Sequence, residues 1–195
     1  MDLIDRIRQH FADSVRVKQE SMELLASPLA DACASMARAL LSGGRVLACG
    51  NGGSAADAQH FAAELVGRFE TERRELAAIA LTTDTSILTA VGNDYGFQHV
   101  FSRQLRALGR AGDVLLAIST SGNSGNVVAA VHAAREREMR VIALTGAGGG
   151  RIRELLQAED ILLAVPDKRT ARIQETHLLL LHCLCDGIDN LLFGN

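Results

Sequence analysis

Five short, unbroken apolar runs, at residues 46–49, 77–81, 114–118, 141–144 and 161–165, narrow most what this chain can fold into. They do not alternate polar with apolar, as a strand with one wet face does. They read as strands covered on both faces. Segments of helical character fall between and after them, at 54–69, 84–92, 97–108, 124–138 and 150–156. Strand–helix alternation predicts an α/β fold with a five-stranded parallel sheet and right-handed crossovers. Two helices are expected ahead of the sheet, over 2–26 and 29–41, the second closed by Ser42-Gly43-Gly44. A long helix over 170–192 ends the pattern. With no repeat, linker or low-complexity stretch, the 195 residues read as one domain: a helical pair in 1–43 and an α/β core with its final helix in 44–195.

In an open parallel sheet, ligands bind beyond the carboxyl ends of the strands. The residues just after each apolar run are therefore informative. The first run leads into Gly50-Asn51-Gly52-Gly53-Ser54, the second into Thr82-Thr83-Asp84, the third into Ser119-Thr120-Ser121-Gly122-Asn123-Ser124, and the fourth into Thr145-Gly146. The third is the strongest phosphate cradle, with several hydroxyls and free backbone N–H groups leading into a helix. It contains no Lys or Arg, so binding would rest on neutral donors and the helix dipole. The Asn51–Ser54 turn then grips the sugar end or shares the phosphate. Neither turn is a P-loop. No carboxylate ends the second run at Leu81, where a dinucleotide ribose would need one.

His60 and Glu64 are four residues apart and share a helix face. Gln174, Glu175, His177 and His182 form a second polar set on the final helix. Glu64 with His182 could shuttle protons between neighbouring carbons of a sugar phosphate. His60, Glu64 and His182 could instead hold a divalent metal. Gln174 and His182 lie eight residues apart, a rise of ~12 Å, so they meet on one ion only with extended side chains or from different chains.

Composition excludes other classes. A net charge of −3 gives no electrostatic case for direct nucleic-acid or membrane binding, and 4% aromatics without Trp leave no base-stacking platform. The first fourteen residues, MDLIDRIRQHFADS, lack the apolar core of a signal peptide. Four scattered cysteines (Cys33, Cys49, Cys183, Cys185) read as buried thiols in a reducing compartment. A cytoplasmic location is expected. The N-terminal apolar face, Leu3, Ile4, Ile7 and Phe11, and an almost wholly apolar final helix call for cover from other subunits.

The motifs CGNGGSAADAQHFAAEL, LTTD, GNDYG, AISTSGNS, ALTG and RIQETHLLLLH, spread over nearly the whole chain, closely resemble the bacterial phosphoheptose isomerases of the sugar-isomerase (SIS) domain superfamily. The resemblance implies a flavodoxin-like, doubly wound SIS fold. It implies isomerisation of sedoheptulose 7-phosphate to D-glycero-D-manno-heptose 7-phosphate through an enediol, the first step of heptose synthesis for lipopolysaccharide. It also implies a cytoplasmic homotetramer with active sites at subunit contacts, and a bound zinc. By position, substrate would meet Asn51, Gly52, Gly53, Ser54, Glu64, Arg68, Asn93, Asp94, Ser119, Thr120, Ser121, Ser124 and Gln174. Glu64 matches the family's base and His182 its acid. The zinc ligands match His60, Glu64, Gln174 and His182. Some members carry an Asp three residues before the Gln, where this chain has Ala171.

A non-catalytic relative that binds the replication initiator is similar to RFETER, RALGRAGDVLLAIST, RIQE, CLCD and IDNLLF in this chain. That relative lacks the catalytic carboxylate and the final-helix histidine. Glu64 and His182 are both present here, which favours the isomerase.

Overall fold

The computed structural model describes residues 2–194. Five parallel strands, β1 (Val46–Cys49), β2 (Ala78–Ala80), β3 (Val114–Ser119), β4 (Arg140–Thr145) and β5 (Ile161–Ala164), form one sheet in the order β2-β1-β3-β4-β5. The helices are α1 (Leu3–Leu41), α2 (Gly53–Val66), α3 (Thr85–Tyr95), α4 (Val100–Leu108), α5 (Gly125–Glu136), α6 (Gly150–Leu155) and α7 (Thr170–Phe193). A 3-10 turn, Phe97–His99, leads into α4. The flavodoxin-like order and the strand–helix alternation are those expected from the sequence.

The unbroken apolar runs result from burial on both faces. Successive strand residues point to opposite sides. Ala48, Leu116, Ile118, Ile142 and Leu144 join a core with α1, α2 and α7. Leu47, Cys49, Leu115, Ala117, Val141 and Ala143 join another with α4 and α5. Every residue of β1 and β3 is buried, whereas the edge strand β2 is only half-buried throughout.

One expectation fails at the amino end. The two helices over 2–26 and 29–41 are a single helix, α1, with Pro28 inside it. A proline within a helix removes one backbone hydrogen bond and costs about 3 kcal/mol. Packing offsets this, because Val17 and Leu25 before the proline and Ala32, Cys33 and Met36 after it bury into one continuous core with α7. By length and composition alone α1 could cross a bilayer, but here it lies along α7 as a packed helix.

All four cysteines are free. Burial pushes the Cys49 and Cys185 thiols up to about 12, so neither is a nucleophile at neutral pH.

Candidate active site

The sheet order reverses between β1 and β3, so the chain leaves these neighbours in opposite directions and opens a crevice above their carboxyl ends. The two loops that flank the crevice are tied together. Asn51 Nδ2 donates to Asn126 Oδ1 at 2.8 Å, and Asn126 Nδ2 returns a bond to Asn51 Oδ1 at 2.8 Å. Ser119 Oγ and Ser124 Oγ are 3.0 Å apart. The Ser121 hydroxyl accepts the Asn123 amide at 3.1 Å. Gly122 turns the loop at φ +66°, and a side chain there would run into the Gly149 carbonyl. Ser124 sits at the N-terminus of α5 without capping it through its side chain. The first-turn amides of α5 therefore carry no side-chain cap and can meet an anion beside the paired Ser119 and Ser124 hydroxyls. At α2, by contrast, Ser54, Ala55 and Ala56 N–H already bond to Asn51 and Gly52 carbonyls. That favours the 119–124 loop over the 50–54 turn as the phosphate cradle.

The final helix reaches both parts of the site. At its start, Ile173 packs on Gly146, and the Gln174 carboxamide packs against Gly53 at the start of α2. The buried His177 Nε2 lies 3.0 Å from the Thr145 carbonyl at the end of β4. Burial pushes its pKa down to about 4, with the Thr145 contact opposing. The contact places a proton on Nε2, and burial disfavours a second one on Nδ1. Further along, His182 Nε2 lies 3.0 Å from His60 Nε2. Glu64 Oε1 is 3.6 Å from the same His60 atom. The Phe69 ring covers His182, with centroids 5.5 Å apart. The two helices thus run side by side in the same direction. They join two stations: a polar cradle at Gly53, Gln174 and the 119–124 loop, and an imidazole–carboxylate cluster at His60, Glu64 and His182. His60 lies ~10 Å and Glu64 ~16 Å along α2 from Gly53.

Three expected substrate residues lie elsewhere in this arrangement. Arg68 is exposed, bonded to the Phe69 and Glu70 carbonyls and 3.8 Å from Glu72. Asn93 and Asp94 are exposed near the end of α3 and bond to each other at 2.7 Å. No hydrogen bond among the described residues links these three to either station.

The donor types at His60, Glu64 and His182 suit zinc, and catalytic zinc sites commonly use three protein ligands and one open position. The spacing is that of side chains touching one another. The imidazole nitrogens are 3.0 Å apart, against about 3.3 Å for two nitrogens on one tetrahedral zinc, so a small opening admits the ion. As they stand, no group of three or more His, Cys, Asp or Glu among the described residues is spread to hold a metal. Gln174, the other expected ligand, is occupied at the first station, against Gly53.

Sequence reasoning gave no role to two polar residues. Asn126 is buried within an apolar helical turn, and its only sequence signal is a lone Asn among Val and Ala after the serine loop. Asp57, one turn before His60 on α2, has a buried Oδ2 with no hydrogen-bond partner among the described residues. Burial pushes its pKa up to about 6, and the nearby His60 pulls it the other way.

Comparison with known proteins identifies the family. Residues 9–146 match the model of the SIS domain family. The chain is 64% identical over 194 residues to a phosphoheptose isomerase of Dechloromonas aromatica, covering 100% of this chain and 99% of that protein. It is 69% identical to one from Aromatoleum aromaticum, over 100% of this chain and 98% of the relative. The solved structure of a phosphoheptose isomerase from Neisseria gonorrhoeae superposes with a TM-score of 0.93 at 61% identity, covering 97% of this chain and all of that one. The chain therefore belongs to the SIS domain family, within the branch formed by the phosphoheptose isomerases.

Proposed function

We propose that this protein interconverts sedoheptulose 7-phosphate and D-glycero-D-manno-heptose 7-phosphate through an enediol. The observation that carries this reading is the meeting of His182 with His60 and Glu64 across 122 residues of sequence, ~10 Å along α2 from a phosphate cradle. The substrate has matching ends, with its phosphate on C7 and its reacting carbons at C1 and C2. The high-identity relatives bear the isomerase name, which disfavours the initiator-binding alternative.

The 119–124 loop and the α5 amides hold the phosphate, with Asn51, Gly52, Gly53, Ser54 and Gln174 along the sugar chain. Glu64 removes the proton from C1 of the ketose, giving the enediol. His182 moves protons between the O1 and O2 oxygens. Return of a proton to C2 completes the aldose. A positioned acid and base each contribute roughly 10²–10⁴-fold. When bound, zinc would polarise both substrate oxygens. His60, Glu64 and His182 would hold it, with Gln174 joining only by leaving Gly53. A Glu64 engaged by a metal must shift before it can take a proton.

The exposed apolar residues Leu3, Ile4, Ile7 and Phe11 on α1, and Leu178 and Leu179 on α7, support a homotetramer. A cleft of about 480 Å³ between the two helices is almost wholly apolar. A neighbouring subunit would then bring Arg68, Asn93 and Asp94 to a shared site. The proposed setting is the cytoplasm, in supply of heptose for lipopolysaccharide.

The test is direct. The pure protein is incubated with sedoheptulose 7-phosphate, as isolated, after chelation and with added zinc. The expected product is the aldose phosphate. Its failure to form under all three conditions removes the reading.

A further inference from the structure

We propose that Arg73 is a positioning residue that sets Glu64 against His182, an inference that rests on the isomerase reading above. A helix ends with carbonyls that have no N–H of their own to accept. At the end of α2 one guanidinium bonds the Glu64 and Leu65 carbonyls, Leu65 also accepting the Leu76 N–H, and reaches the carbonyls of Gly67 and Arg74 just beyond the helix. Arg73 Nη2 donates to the Glu64 carbonyl at 2.8 Å, and Nη1 donates to Leu65 at 2.8 Å, Gly67 at 3.1 Å and Arg74 at 3.2 Å. Nε donates to Asp189 Oδ1 on α7 at 2.9 Å.

This group therefore binds the backbone of the base itself to the helix that carries the acid. Asp189 lies seven residues after His182, two turns on and on the same helix face. Both side chains are buried, Arg73 at 2% and Asp189 at 6% exposure. Among the described residues Asp189 Oδ2 is buried without a hydrogen-bond partner, and Arg73 is the group that bonds Oδ1. A planar fork can reach several carbonyls and a carboxylate at once, whereas an ammonium cannot. Fixing Asp189 and the Glu64 carbonyl to one rigid ion leaves little freedom between α2 and α7 at the reacting groups.

Three variants test this in the full-length protein: Arg73→Lys, Asp189→Ala and Asp189→Asn. Steady-state kinetics with sedoheptulose 7-phosphate are paired with ¹⁵N resonances of the His60 and His182 rings. A misplacement of about 1 Å costs roughly 10²-fold in rate. In Arg73→Lys and Asp189→Ala, kcat should fall ~10–100-fold while KM stays within ~3-fold, because the phosphate cradle is untouched. Both histidine resonances should move. Asp189→Asn keeps an acceptor for Nε and should recover most of kcat. Should Arg73→Lys fail to fold, Asp189→Ala carries the test, since it leaves the α2 carbonyls capped. Loss of thermal stability with kcat and both resonances unchanged would make Arg73 a structural cap only and overturn the proposal. So would a rise in KM alone, or an Asp189→Asn no better than Asp189→Ala. If the wild type forms no aldose, the proposed reaction falls, and the clamp is judged on the histidine resonances.

Discussion

His60 and His182 share one hydrogen bond, Nε2 to Nε2 at 3.0 Å, which only one proton can occupy. One ring therefore donates and the other accepts, with the Glu64 carboxylate 3.6 Å from His60. His182 and Glu64 both meet the one His60 nitrogen, which places the acid and the base beside each other.

Glu64→Gln and His182→Ala should each lower kcat by roughly 10²–10⁴-fold. Both side chains are partly exposed, so the fold should survive either change. Far-ultraviolet circular dichroism and gel filtration should match the wild type. Retained turnover in both variants would remove these residues from the chemistry.

Asn126→Ala should weaken both the crevice and the fold. It leaves the Asn51 amide without its reciprocal partner, and losing such a bond costs about 1–3 kcal/mol. Urea titration should show that loss. KM for the sugar phosphate should rise more than kcat falls, because the two loops that bracket the cradle are no longer tied.

Gly122→Ala should be more severe than its size suggests. The position needs φ +66°, and the added carbon meets the Gly149 carbonyl. Phosphate affinity should fall steeply, read as competition by inorganic phosphate in the assay.

His177 and Asp57 should leave opposite marks on stability against pH. The His177 ring is held at about 4, below its free value of 6.5. As pH falls from 6.5 to 4, the unfolded chain takes a proton that the folded chain refuses, so this contribution is full above 6.5 and is lost below it. Asp57 is raised to about 6 from 3.8, so its contribution is full below 3.8 and is lost as pH rises towards 6. His177→Gln keeps a donor for the Thr145 carbonyl. Its stability deficit against wild type should grow from pH 4 to 6.5 and then level off. Asp57→Asn should gain on wild type as pH rises from 3.8 to 6. Urea melts across this range check both slopes.

Much of the fold was legible because burial on both faces writes strands as unbroken apolar runs. β1 is found at the expected residues, Val46–Cys49. The exception was Pro28, where a local helix-breaking rule gave way to a packing surface that continues through the proline from Leu25 to Ala32. The site was legible in part. Gly, Ser and Asn after β1 and β3 announce a polar crevice, and the His60–Glu64 spacing announces a shared face. The contact of His182 with His60 is a tertiary fact that no local pattern encodes; the sequence offered the grouping of His60, Glu64 and His182 only as one arrangement, which the resemblance then strengthened. Asn126 and Arg73 were passed over because a buried Asn in a helix and an Arg in a charged loop look ordinary until their partners are seen. The eight-residue offset of Gln174 from His182 already set the two apart along the helix, and the packing of Gln174 against Gly53 agrees with that spacing.

The central claim is that Glu64 carries a proton through an enediol. Turnover of sedoheptulose 7-phosphate in deuterated water, monitored by proton NMR, tests it most directly. Wild type should form aldose phosphate whose C2 hydrogen comes from solvent deuterium or from C1, according to how fast the Glu64 carboxyl exchanges its proton, and Glu64→Gln should both turn over and exchange C1 at least ~10²-fold more slowly. Equal turnover and equal C1 exchange in the variant would contradict it.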